Sequence, residues 1–225
     1  GLSEEHADIT AEVLTWSDER GYHSHGAVRV EYYSERIAKG GITVNPHFEF
    51  KETGPCSAIF EGDNGCGYVA AKKAMEKAIE MAKKTGIAVV GIRNISHSGA
   101  LGYYTEMAAD QDMVAISFCQ SDPMAVPTGG TEPYYGTNPI SFAAPTADER
   151  KVVFDMATTV QAWGKILDKR SRGESIPDTW AVDENGNPVT DPNKVNALLP
   201  IAGAKGYGLM MMVDVFSGIL LGVPF

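Results

Sequence analysis

Apolar residues in the first forty positions recur with the rhythm of a helix. Ile9, Val13 and Trp16 fall on one face of a segment that Ser3 can cap and whose first turn carries Glu4 and Glu5, predicting a helix to about Arg20. After a loop from Gly21 to Gly26, the stretch Val28 to Lys39 repeats the helical pattern, and Gly40-Gly41 stops it. From His47 the period changes. Phe48 and Phe50 alternate with polar neighbours, Ala58 to Phe60 forms a second short strand candidate, and a domain boundary is expected near residue 45. Val69, Met75, Ile79 and Ala82 then mark a helix over Tyr68–Thr85 closed by Gly86, followed by a buried-type strand at Ile87–Ile92.

Further strands are expected at Val114–Cys119, Ile140–Ala144, Val152–Asp155 and Trp180–Val182, and helices at Thr105–Gln111, Thr158–Asp168 and Tyr207–Leu221. The pattern gives a mixed α/β class, with a helical segment over 1–45 and an α/β domain over 46–225, and no internal repeat. The longest apolar run, from Gly208, is broken by Asp214 and falls short of the roughly 20 residues of a membrane span, so it reads as a buried core helix. That run is still apolar at Phe225 and the chain opens at Gly1, which predicts a piece of a longer protein.

Composition narrows the partners. With 19 Lys plus Arg against 29 Asp plus Glu, the net charge is −10, and no basic run offers a nucleic acid footprint. Cys56, Cys66 and Cys119 form no CxxC pair, which argues against a disulfide framework or zinc knuckle and for a reducing cytoplasm. The N-terminus lacks the basic start and apolar stretch of a signal peptide.

Three constellations carry candidate chemistry. His23-Ser24-His25-Gly26 is followed by Arg29 and Tyr33, which share a helix face; the Arg29 guanidinium can clamp a carboxylate, and the alternative is a surface arginine beside two capping-loop histidines. His97-Ser98-Gly99 lies in a loop after a strand, where an imidazole suits removal of a hydroxyl proton, though structural loop histidines are common. Ser121-Asp122-Pro123 ends another strand, where Asp122 could orient His97 and Ser121 could bond a cofactor; an ordinary turn is the alternative. His23, His25, His97 and Asp122 also leave open a metal-dependent hydrolase, without any spacing that demands a metal, and a non-catalytic binding module remains a third reading.

Gly65-Cys66-Gly67-Tyr68-Val69-Ala70 fits the G-x-G-x-x-A dinucleotide fingerprint. Its strand is expected to be short and separated from it by Glu61-Gly62-Asp63-Asn64, and the following strand ends in Arg93-Asn94 where an acidic residue would be wanted, so the motif reads as a decoy.

Taken together, Gly26–Tyr33, Tyr134–Pro139, Asp155–Lys165 and Lys205–Met212, with the stretches around His97 and Cys119, resemble the malate/lactate dehydrogenase type 2 family. The resemblance implies a non-Rossmann mixed sheet with flanking helices, a homodimer, and NAD-dependent oxidation of a small 2-hydroxy acid, ureidoglycolate first, with malate or lactate as alternatives. It implies no metal. By motif, the proton acceptor falls on His97, cofactor contacts on Ser121, Asp155, Met156, Ala157 and Lys205, and substrate contacts on Ser24, His25, Arg29 and Tyr33. Family chains begin earlier and continue past Phe225, so further cofactor contacts and a dimerising segment are expected outside this sequence.

Overall fold

The computed structural model describes residues 1–148 and 150–223. The chain forms two compact units, one from Gly1–Ser117 with Ser141–Phe154, the other from Phe118–Ile140 with Asp155–Phe225. Residue 45 lies inside the first.

The first unit opens with α1 (Glu4–Glu19), capped by the Ser3 hydroxyl accepting from the His6 N–H, with Val13, Leu14 and Trp16 buried. The helix expected from Val28 begins later. Residues His23–His25 and Ala27–Arg29 form 3-10 turns, and α2 spans Val30–Ala38. Asp18 explains the delay: its carboxylate accepts from the Ala27 N–H at 2.8 Å and pairs with His23 Nδ1 at 3.0 Å, tying the loop to α1. A Cβ at Gly26 would stand 2.0 Å from Asp18 Oδ1, so a larger residue there would displace the carboxylate that ties the loop.

Strands β1 (Glu49–Gly54) and β2 (Ser57–Gly65) make an antiparallel hairpin. Helix α3 (Gly67–Thr85) then crosses to β3 (Val89–Ile95), which pairs parallel with β2, giving the order β1-β2-β3. Gly86 closes α3 in the left-handed conformation, φ +83°. β2 is longer than expected, because a bulge with Asp63 and Asn64 at φ +48° and +51° carries polar residues through the pairing and hides the alternation. Phe60, Ala70 and Ala74 form the core here, against Phe48, Phe50, Val90, Ile92 and Ile95. Helix α4 (Gly102–Ala109) and a second sheet, β4 (Ala115–Phe118), β5 (Ile140–Pro145) and β6 (Lys151–Met156) in that order, follow.

The second unit packs α5 (Trp163–Arg172), the short antiparallel pair β7 (Ala181–Val182) and β8 (Ala197–Leu198), and α6 (Ala204–Ser217) around Ala125, Tyr135, Ile166, Leu198 and Met210. Two corrections arise. Helix α5 starts at Trp163 rather than Thr158, because the Thr158 N–H donates to Thr137 O and the Val160 N–H to Leu199 O, drawing three β-branched residues into extended pairing. Helix α6 is not a buried core helix. Gly206, Met210, Val213 and Asp214 are buried along one stripe, whereas Met211, Val215 and Phe216 are exposed. A run that is apolar all round cannot show which stripe is covered. By length and composition alone, Ala204–Leu221 passes as a membrane span, at mean hydropathy 1.3. The apolar end of the run, Pro224 and Phe225, lies outside the described residues.

Candidate active site

In the first unit the glycine turn and the His97 loop are built together. The Ser96 N–H donates to Gly65 O at 3.1 Å, and the Ser96 hydroxyl accepts from the Gly67 N–H at 2.9 Å at the start of α3. A Cβ on Gly67 would stand 2.1 Å from Ser96 O and 2.4 Å from His97 O. The expected separation of strand and motif is therefore overturned: β2 runs to Gly65 and the turn leads straight into α3. Its glycines allow a close approach by the chain's own loop, whose Ser96 hydroxyl takes the Gly67 N–H at the start of α3. Beyond His97, Tyr104 donates its hydroxyl to Ser98 O at 2.5 Å, and Gly99, at φ +76°, lets the loop lie against the Tyr68 ring. His97 is thus presented from a clamped loop, with its ring reached by solvent.

Four expected site residues gather around it. The Tyr33 hydroxyl bonds His97 Nδ1, which leaves Nε2 as the ring's outward nitrogen. The His25 ring stacks on His97 with centroids 5.7 Å apart, and His25 Nδ1 bonds Ser24 Oγ at 2.9 Å. Arg29 Nε donates to the Ser24 carbonyl at 2.7 Å, fixing the side chain while its terminal nitrogens make no ion pair among the described residues. Desolvation of the ring among its neighbours first, then charge on His25, Arg29 and Arg36, pushes His97 down to about 3. Burial and Arg29 push His25 to about 4. Both imidazoles are neutral at pH 7, and His97 is equipped to accept a proton.

Tyr33 is buried, and its hydroxyl also accepts from Tyr68 at 3.0 Å. Tyr68 escaped the sequence reading. Its one signal is its place directly after the glycine turn, at the base of the loop that the turn supports. His23 turns instead to Asp18, away from the other histidines. No group of three or more His, Cys, Asp or Glu side chains able to hold a metal ion occurs among the described residues, so the metal-hydrolase reading gains no support.

The second unit carries the expected cofactor residues. The Ser121 hydroxyl accepts from the Thr137 N–H at 2.9 Å, and a Cβ at Gly136 would meet that hydroxyl at 2.2 Å. The buried Asn138 side chain donates to Met210 O and to Asp214 Oδ1, each at 2.9 Å, pinning this loop to α6. Asp122, next to Ser121, is exposed. Asp155 and Met156 end β6 and Ala157 follows. Lys205 is exposed in the first turn of α6, and no side chain caps that helix. An uncapped helix N-terminus with a lysine in its first turn suits a pyrophosphate, so these residues fit a dinucleotide.

The malate/L-lactate dehydrogenase family profile matches residues 1–225. The chain is 64% identical over 225 residues to "Ureidoglycolate dehydrogenase (NAD(+))" of Escherichia coli O157:H7, covering all of this chain and 64% of that one. It is 44% identical over 232 residues to "Malate dehydrogenase" of Pyrococcus abyssi (strain GE5 / Orsay), covering 99% of this chain and 64% of that one. Among solved structures, sulfolactate dehydrogenase from Methanocaldococcus jannaschii superposes with a TM-score of 0.90 at 42% identity, over 97% of this chain and 64% of that one. Delta1-piperideine-2-carboxylate reductase from Pseudomonas syringae pvar. tomato gives a TM-score of 0.95 at 34% identity, over 100% and 69%. The chain thus spans somewhat less than two thirds of the curated relatives it matches, and across its whole length it belongs to the malate/L-lactate dehydrogenase family.

Proposed function

We propose that this chain carries the substrate and cofactor contacts of an NAD-dependent dehydrogenase that oxidises the CH–OH group of (S)-ureidoglycolate to the keto group of oxalurate, a step in the release of nitrogen from allantoin. The observation that carries the reading is the neutral His97 with Arg29 and His25 at its side. The 64% identity to a protein named for this substrate and cofactor favours it over a malate or lactate enzyme.

Each residue has a task. The terminal nitrogens of Arg29 form a planar fork that pairs with the substrate carboxylate, and Ser24 holds that fork in place through its carbonyl. His25 lines the same position as a neutral donor or acceptor. His97 Nε2 takes the hydroxyl proton as the C–H bond breaks. Arg29 also tunes this base. After desolvation and His25, its charge is one of the influences that lower His97 in the free protein, and pairing with a carboxylate offsets that contribution. Lys205 and the α6 N-terminus hold a pyrophosphate, Ser121, Asp155, Met156 and Ala157 supply the remaining cofactor contacts, and Asp122 keeps its expected role as the carboxylate that orients His97. When bound there, NAD supplies the hydride acceptor for the carbinol carbon.

A homodimer in the cytoplasm is part of the same proposal. It is supported by the exposed Val28, Val30 and Tyr32 on the N-terminal segment and by cysteines that form no disulfide among the described residues.

The test is a panel of 2-hydroxy acids with NAD and NADP, followed by absorbance of the reduced cofactor on the whole protein. Ureidoglycolate with NAD is expected to give the highest kcat/KM; turnover of malate or lactate alone would move the assignment to a sibling enzyme. His97→Asn should lower kcat by about 10²-fold or more while cofactor affinity stays nearly constant, and full activity in that variant would refute the assigned base.

A further inference from the structure

We propose that Tyr68 is a positioning residue of this dehydrogenase: the second phenol of a buried relay that acts through Tyr33 to set which nitrogen of His97 carries the proton. The inference rests on His97 being the base.

The relay is a chain of three groups within one unit. Tyr68, in the first turn of α3, is fully buried, and its hydroxyl lies 3.0 Å from that of Tyr33. The Tyr33 hydroxyl in turn bonds His97 Nδ1. The Tyr33 and Tyr68 rings meet edge to face with centroids 5.1 Å apart, and the Tyr33 and His97 rings stack at 25°. Tyr68 is held from the other side by the His97 loop itself, since Gly99 lies where any Cβ would press the Tyr68 ring at 2.4 Å. Burial pushes both phenols well above their usual range, so they remain neutral and pass hydrogen bonds without becoming phenolates.

A hydroxyl has one hydrogen to give, and this makes the chain directional. When Tyr68 donates to Tyr33 and Tyr33 spends its own hydrogen on Nδ1, the imidazole proton sits on Nε2. In that state the outward nitrogen has no lone pair for a substrate proton. Reversal gives the competent base: Nδ1–H donates to the Tyr33 oxygen, and Tyr33 turns its hydrogen to the Tyr68 oxygen. Nε2 is then bare. After it takes the substrate proton, the imidazolium keeps its Nδ1–H bond to Tyr33. Tyr68 thus supplies the acceptor that frees Tyr33 to accept. Without that oxygen, Tyr33 has His97 Nδ1 as its acceptor and holds the ring in the Nε2–H form.

Tyr68→Phe keeps the ring and removes the oxygen. The expected result is a roughly tenfold fall in kcat for oxidation with KM for NAD unchanged, and a shift of His97 towards the Nε2–H tautomer in ¹⁵N spectra of histidine-labelled protein without substrate. Combining it with Tyr33→Phe should cost no more than Tyr33→Phe alone, because Tyr68 acts only through Tyr33. Additive losses, or an unchanged tautomer balance with kcat within twofold of the parent, would overturn the proposal. If Tyr68→Phe does not fold, 3-fluorotyrosine at position 68 keeps the shape while making the phenol a stronger donor. It should raise the Nε2–H fraction, and no change there would also overturn the relay. Because the spectra need no turnover, failure of the relay is separable from failure of the assigned reaction, which would show as no oxidation by the unsubstituted protein.

Discussion

Replacing Gly67 by alanine sets helix propensity against steric fit. Alanine is the better helix former by up to ~1 kcal/mol, and removing a glycine also restricts the unfolded chain, so on backbone terms alone the variant would be stabilised. The structure demands the opposite. The new Cβ would stand 2.1 Å from Ser96 O and 2.4 Å from His97 O, both backbone atoms. A non-bonded carbon and oxygen settle near 3.3 Å, so the loop must retreat by about 1 Å. Overpacking of this kind costs about 1–3 kcal/mol, and for a chain of this size each kcal/mol lowers Tm by about 2–4 °C. The same displacement moves His97 by about 1 Å from its working position, which costs on the order of 10² in kcat. Reduction of NAD followed by absorbance reads the rate, and thermal denaturation reads the stability. A Tm equal to or above the parent's with kcat within twofold would refute the assignment of this glycine to the His97 loop.

Three further outcomes follow from the same geometry. Arg29→Lys keeps the charge but loses the planar fork, so KM for the hydroxy acid should rise by about tenfold or more with a smaller change in kcat; an unchanged KM would remove Arg29 from the clamp. With His97 held near 3 in the free protein, the acid limb of kcat/KM, which reports the free enzyme, should fall well below 6.5, and a limb at or above 6.5 would contradict the positive surroundings assigned to that ring. Asp214 is buried and its carboxyl is raised by burial, partly offset by Asn138. A carboxyl whose folded pKa lies above its unfolded one stabilises the fold most at low pH and progressively less as pH rises through that interval. Asp214→Asn, which keeps an oxygen for Asn138, should therefore raise Tm at pH 7 and flatten the dependence on pH above about 4, whereas a lower Tm at pH 7 would show that the ionised carboxylate is the favoured form.

Long, periodic segments were legible in the residues, and segments governed by distant partners were not. Helices α1 and α3 follow from their apolar spacing, the Ser3 cap and the Gly86 stop, all local signals. Thr158 to Val160 look like the head of α5 until Thr137 and Leu199, far off in sequence, claim their N–H groups. β2 was cut short because a bulge places Asp63 and Asn64 inside a paired strand, and β8, at two residues, is too brief to show any alternation.

The site divides along the same line. Residue type and loop position make His97 and Arg29 candidates beside ordinary structural readings, and the matching stretches around them, rather than either residue alone, point to their roles. Within the first unit His97 Nδ1 bonds the hydroxyl of Tyr33 on α2, with Tyr68 behind it, a contact between residues 64 positions apart that no local pattern announces. Tyrosines on helices are ordinary core residues by pattern, and only the contact distinguishes a phenol that packs from one that also hydrogen-bonds an imidazole. The glycine turn teaches the converse. Gly65-Cys66-Gly67 has the letters of a phosphate cradle and the strand-turn-helix setting that normally supports one, yet the close approach its glycines allow is made by Ser96 and His97. Glycines in such a motif record that something lies against the backbone. In this chain the Gly67 N–H is taken by the Ser96 hydroxyl, so what lies against that glycine is the chain's own loop.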